Sequence, residues 1–181
     1  ILDIFEKNDA KCTFFTIGKQ VAWQAKQVKR AKKLGCLVCT HTWDHAAGSG
    51  KGVNLTYMSK KAQISEVKKG YAAIRKLLGA EPEHIMRAPG GNYYGALIRT
   101  LSPYVDAEIG WDIDTEDWRR PGADKIYKRI MKVKPGQIVL MHDGGGNRSQ
   151  TVKAVRRAVP KLMKKGYKLV TVDELLAYGT P

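Results

Sequence analysis

Two histidines, His41 and His45, stand four residues apart in Thr40-His41-Thr42-Trp43-Asp44-His45, directly after the apolar run Leu37-Val38-Cys39. The run follows Gly35 and reads as a short buried strand, so both imidazoles sit at one strand exit and can converge on one metal ion. Such nitrogen ligands favour zinc, and a catalytic zinc takes three protein ligands plus a water, so a third ligand has to come from elsewhere. An isolated H-x-x-x-H spacing is also what surface or satisfied core histidines show. The weight of the reading therefore rests on what the other strand ends carry.

They carry the same kinds of residue. Arg87 ends the run Ile85-Met86-Arg87, Asp112, Asp114 and Asp117 follow the run from Tyr104 to Trp111, and His142 and Asp143 follow Ile138-Val139-Leu140-Met141. Taken singly, an arginine at a strand end is an ion-pair partner, an acidic run a solvated loop and a lone histidine structural. Taken together, they load the strand ends at which parallel α/β folds gather their chemistry. A metal at His41 and His45 would turn its bound water into a nucleophile near neutral pH, which points to metal-assisted hydrolysis. His142 is placed to protonate a leaving group, and Arg87 beside Asp114 to form a buried pair that tunes its neighbours. A base and a carboxylate ligand are still lacking.

The elements that must position these residues alternate. A helix end over Ile1 to Asn8 precedes a β-rich run, Lys11 to Ile17; apolar residues at Val21, Ala25, Val28 and Ala31 then predict a helix from Lys19 to Leu34. After a Gly-rich loop, Gly48 to Gly52, a long helix is marked by Ile64, Val67, Tyr71, Ile74 and Leu78 and stopped by Gly79. Tyr93 to Leu101 reads as a helix, Pro121-Gly122-Ala123-Asp124 opens another, and Val152, Val155, Val159 and Leu162 mark the next helical face. Leu169-Val170-Thr171 closes the pattern as a strand. Strands alternating with helices imply parallel strands with helical crossovers, an α/β architecture. Gly144-Gly145-Gly146-Asn147 lacks the Gly-Lys-[Ser/Thr] ending of a phosphate loop and reads as a loop beside His142.

With 181 residues, 43% of them hydrophobic, the chain fits one globular domain. No apolar run is long enough to span a bilayer, so no transmembrane segment is expected. The start, Ile1-Leu2-Asp3-Ile4-Phe5, has neither an initiating Met nor a signal pattern, which leads us to expect a front trimmed from a longer protein. The formal charge of +15 suits polyanionic surroundings. Nucleic acid is disfavoured as the partner, because the lysines and arginines spread over the polar faces of several helices without a recognition motif or a stacking-aromatic pattern. Cys12, Cys36 and Cys39 suggest no disulfide framework. Nothing in the sequence sets an oligomeric state.

The ordered motifs resemble those of the polysaccharide deacetylases that carry the NodB homology domain, carbohydrate esterase family four, over nearly the whole chain. His41-Thr42-Trp43-Asp44-His45 is similar to H-[ST]-x-x-H, Arg87-Ala88-Pro89-Gly90 to R-x-P-Y, Asp114-Thr115-Glu116-Asp117-Trp118 to D-x-x-D-W, and Leu140-Met141-His142 to L-x-H. The resemblance implies a distorted (β/α) barrel and a divalent metal, usually zinc with cobalt as an alternative, held by the two histidines and an Asp. It implies that His142 protonates the departing amine, that Asp114 and Arg87 tune the catalytic base, that Trp118 and Leu140 line the acetyl pocket, and that the backbone N–H of Gly90 stabilises the oxyanion.

Two departures stand out. The family's T-F-D-D motif, source of the base and of the third metal ligand, is absent from the chain, so the barrel's first strand and that ligand are expected to be missing from residues 1–181. Gly90 stands where the family usually has Tyr, which keeps a backbone donor and removes a side-chain wall. The resemblance implies deacetylation of N-acetylglucosamine-containing polysaccharide, foremost peptidoglycan, in an anionic bacterial cell wall or outside the cell. Chito-oligosaccharide or acetylxylan deacetylation, and a carbohydrate- or cell-wall-binding module of the same fold without catalysis, stand as alternatives.

Overall fold

In the computed structural model, residues 1–47 and 54–179 are described; the Gly-rich loop at 48–52 lies outside them. The chain divides into two compact units, one spanning Thr13–Gly110, the other joining Ile1–Cys12 to the chain from Trp111 onward.

In the first unit, strands β1 (Thr13–Thr16), β2 (Leu37–Thr40), β3 (Ile85–Met86) and β4 (Ala107–Glu108) form one parallel sheet in that order. Helices α2 (Gly18–Val21), α3 (Ala25–Lys33), α4 (Lys60–Leu78) and α5 (Ala96–Leu101) connect them. β2 is buried at every position, as the unbroken apolar run requires of a central parallel strand. The core gathers Leu55, Val67, Tyr71, Met86, Leu97 and Leu101 from strands and helices alike.

Several expectations are corrected here. The helix expected over Lys19 to Leu34 is two, broken at residues 22–24, where Trp23 points outward. The helix expected from Tyr93 begins only at Ala96, because Gly95 at φ 56°, ψ −123° is not helical. The strand expected over Tyr104 to Trp111 pairs only through Ala107–Glu108. α4 stops at left-handed Gly79, as the sequence indicates, and starts on Ser59, whose hydroxyl accepts from Ala62 N. Its inner face is rotated from the expected one: Gln63, Glu66, Val67, Gly70, Tyr71 and Ile74 are buried, while Ile64 and Leu78 are only half-buried.

The second unit holds α1 (Leu2–Lys7), the parallel pair β5 (Ile113–Asp114) and β6 (Val139–Leu140), α6 (Ala123–Ile130), α7 (Ser149–Lys164) and α8 (Val172–Ala177). Its core packs Ile4 and Phe5 of α1, Ile126 and Ile130 of α6, and Ala154, Val155, Ala158, Val159 and Leu162 of α7. Burying each of the larger aliphatic chains stabilises by about 1.5–3 kcal/mol. Leu169-Val170-Thr171, expected as a strand, forms none. Leu169 accepts one bond from Lys11 N at 3.1 Å, and Thr171 instead caps α8 in a capping box with Glu174. Among the described residues the strands form two sheets, so hydrogen bonds do not close a ring.

Candidate active site

The loop after β2 is fixed at nearly every backbone position. His41 N donates to Thr16 O at 2.8 Å; Thr42 O and Trp43 O accept from Gly18 N and Lys19 N, both at 2.9 Å. From α4, a single carboxylate oxygen of Glu66 accepts Trp43 N at 3.2 Å and Asp44 N at 3.1 Å. Two glycines let these parts meet. A Cβ on Gly70 would lie 2.0 Å from Thr40 Oγ1, and one on Gly18 would lie 2.7 Å from Trp43 Cε3, so each position has room only for hydrogen.

That scaffold brings the two imidazoles together, with ring centroids 4.8 Å apart in an edge-to-face arrangement. His41 Nδ1 lies 2.7 Å from the carbonyl of Arg87, which assigns it the N–H and turns Nε2 toward the role of ligand. Arg87, buried at the end of β3, donates through its guanidinium to Ile109 O and Gly110 O, each at 2.8 Å, and lies over the Phe15 ring at 4.3 Å. Burial lowers its pKa to about 10 against the raising charges of Glu108 and Cys39, which leaves it cationic at neutral pH. Gly90 is exposed and left-handed, with φ 65°, a conformation that strains any other residue there.

The second unit builds an Asp–His pair. β5 and β6 run in register, Asp114 opposite Leu140, and Thr115 Oγ1 donates to Leu140 O at 2.8 Å just beyond the ladder. This aligns Asp117 with His142. One Asp117 oxygen accepts His142 Nδ1 at 2.7 Å; the other accepts His142 N at 2.9 Å and Thr151 Oγ1 of α7 at 2.8 Å. Burial would raise the Asp117 pKa, but the bonds from His142 and Thr151 outweigh it and hold the carboxyl below its ordinary value. The Asp117 side chain is wholly buried, while that of His142 is 39% exposed. Nδ1 is committed to the carboxylate, so Nε2 is the nitrogen left to exchange a proton with a bound molecule.

Backbone strain collects at the same two places. Of the five non-glycine residues with positive φ among the described residues, Thr42 and His45 lie in the histidine loop, and Glu116 and Arg120 flank Asp117. Such conformations persist where the surroundings over-determine them, as at functional sites.

Of the residues singled out in the sequence, the structure thus brings together His41, His45 and the Arg87 carbonyl in one unit. Leu140 is buried in the other, while Trp118 is 47% exposed with Arg119 across its ring. Asp114 is also exposed, where burial was expected, and accepts from Glu116 N at 2.7 Å. Sequence reasoning missed the roles of Asp117, Glu66 and Thr151. The D-x-x-D-W spacing was the available signal for Asp117; a glutamate on an inner helix position has none.

The donor chemistry can be tested against a metal. His41 and His45 supply two nitrogens in suitable proximity, but no group of three His, Cys, Asp or Glu residues able to hold a metal occurs among the described residues. Two of the three ligands of a catalytic zinc are therefore represented, and the described residues do not complete the set.

A family profile described as "Polysaccharide deacetylase" matches residues 1–104, more than half of the chain. The chain belongs to the polysaccharide deacetylase family. It is 36% identical over 181 residues to a peptidoglycan-N-acetylglucosamine deacetylase of Bacillus cereus, covering 98% of this chain and 81% of that protein. Among solved structures, a T48 deacetylase with substrate superposes with a TM-score of 0.85 at 34% identity, covering 99% of this chain and 83% of the other. A family 4 pseudoenzyme from Bacillus anthracis superposes at 0.82 with 27% identity, covering 97% and 58%. The α/β fold with parallel strands is therefore that of the family 4 deacetylases, as the motif order implied.

Proposed function

We propose that this family member removes acetyl groups from N-acetylglucosamine-containing polysaccharide, with peptidoglycan the foremost substrate. Support for the substrate comes from the Bacillus cereus relative. The observation that carries the chemistry is the Asp117–His142 pair: a carboxylate orients the imidazole through Nδ1 and leaves Nε2 to protonate the departing amine. In this reading Trp118 and Leu140 border the acetyl group, the N–H of Gly90 donates to the oxyanion, and Arg87 with Asp114 tunes the base. His41 and His45 would supply two of the ligands of a divalent metal, zinc or cobalt, which would provide charge stabilisation and an activated water. Residues 1–181 act in this reading as one deacetylase domain, at a cell wall or outside the cell, where the +15 charge suits anionic polymers.

The second reading is a carbohydrate-binding protein without turnover, favoured by the incomplete ligand set and by the likeness to a pseudoenzyme. Acetate release from N-acetylglucosamine oligomers separates the two. Residues 1–181 are compared with the same chain carrying a T-F-D-D segment before Ile1, each with zinc or cobalt. Release by the extended form, abolished by a chelator, supports the enzyme. Sugar binding without release in either form supports the second reading.

A further inference from the structure

No acidic residue occurs between Asp9 and Asp44, while that stretch carries Lys26, Lys29, Arg30, Lys32 and Lys33 on α3 alone. Lys26, Lys29 and Lys33 recur at helical spacing, so they share one face, about 10 Å long at 1.5 Å per residue. All three are exposed, and none has an ion-pair partner among the described residues. Lys33 at the C-terminus of α3 suits the dipole, but Lys26 lies in the first turn, where positive charge is unfavourable, and like charges three and four apart repel.

Just before the stripe, Trp23 stands 87% exposed in the turn between α2 and α3, with the amides of Gln20, Gln24 and Gln27 also exposed. An exposed indole offers a flat face on which a sugar ring can stack, and neighbouring amides can bond its hydroxyls. Insertion into a membrane needs an apolar helix face, and of the apolar residues of α3 Val28 and Ala31 are buried and Ala25 is half-buried. A single-stranded nucleic acid would call for successive aromatics, and here there is one.

We propose that this face docks an anionic glycan, a sugar chain bearing carboxylates or phosphates, with one ring on Trp23 and its negative groups along Lys26, Lys29 and Lys33. The preference for a glycan over other polyanions rests in part on the family's polysaccharide chemistry, but docking requires no turnover.

The test is binding of polygalacturonate at several salt concentrations to the wild-type chain, to Lys26→Glu/Lys29→Glu/Lys33→Glu and to Trp23→Ala. Neutral dextran, phosphatidylglycerol vesicles and duplex DNA serve as comparisons, with circular dichroism confirming the fold. We expect salt-sensitive binding that falls at least tenfold in the triple variant. Trp23→Ala should weaken polygalacturonate severalfold and leave vesicles and DNA unaffected. Equal affinity in all three proteins would overturn the proposal, as would tighter binding of vesicles or DNA through the same residues. A Trp23→Phe variant that restores binding supports stacking. Failure of the extended form to release acetate would count against the proposed activity and leave this binding result standing.

Discussion

Glu66 is the sharpest place to perturb the histidine loop. Its carboxylate is the acceptor for two successive backbone N–H groups, Trp43 and Asp44, between the candidate ligands His41 and His45. In Glu66→Ala both donors lose that partner, and hydrogen bonds to a charged group contribute about 1.5–3 kcal/mol each. Partial access of water to the loop recovers part of this, which leaves a loss of ~2–4 kcal/mol, or roughly 4–16 °C in Tm for a chain of this size. Glu66→Gln keeps an acceptor oxygen and removes a buried charge, so it should lie within about 1 kcal/mol of wild type at neutral pH. The sign with pH follows from the carboxyl itself. Burial, reinforced by the charge of Asp44, raises its pKa against the lowering bonds from Asp44 and Trp43. The stability associated with Glu66 is thus fullest below the unfolded value, about 4.3, and declines as pH rises through the higher folded one, so the Gln variant gains on wild type toward neutrality. Denaturant unfolding from mildly acidic to neutral pH, with amide exchange at Trp43 and Asp44, measures all three effects. The reasoning is refuted if Glu66→Ala unfolds within 0.5 kcal/mol of wild type, about the scatter of surface substitutions, or if Gln is as damaging as Ala.

Asp117→Asn should cost ~2–4 kcal/mol at neutral pH, because the three groups that donate to this buried carboxylate lose their charged acceptor. Because the Asp117 pKa is lowered, this stabilisation is complete above about 3.9 and disappears as pH falls through the folded value, so wild type and variant should converge in acid unfolding. Gly70→Ala would gain ~1 kcal/mol of helix propensity on a surface helix, but its Cβ would meet Thr40 Oγ1 at 2.0 Å. Overpacking of this kind costs ~1–3 kcal/mol, so chemical denaturation should show net destabilisation. Leu97→Ala, at a fully buried core position, should cost ~2–5 kcal/mol in the same assay.

Much of the fold was legible because apolar runs and helical stripes are local signals: β2, the presence of α4 and its Gly79 stop, and the inner face of α7 all follow from them. What failed depends on contacts between distant residues. The inner face of α4 includes Gln63 and Glu66 because the histidine loop supplies donors to Glu66 and the carbonyls of Leu55 and Thr56 accept from Gln63. A polarity stripe rotates such residues outward. Asp117 and His142 are 25 residues apart, and only the pairing of β5 with β6 brings them to one place. Leu169-Val170-Thr171 has strand composition, yet the Thr171-x-x-Glu174 capping box that follows is the stronger local instruction. The histidine spacing was legible as a motif; the carbonyl of Arg87 that orients His41 was not, since any residue has a carbonyl.

The most direct test of the account is His142→Ala in the chain extended by a T-F-D-D segment, with bound metal and released acetate measured on the same sample. Metal content should match the unmutated extended form while acetate release from N-acetylglucosamine oligomers falls by ~10²–10⁴, the range of a lost general acid. Undiminished release, or loss of the metal together with activity, would contradict the role assigned to the Asp117–His142 pair.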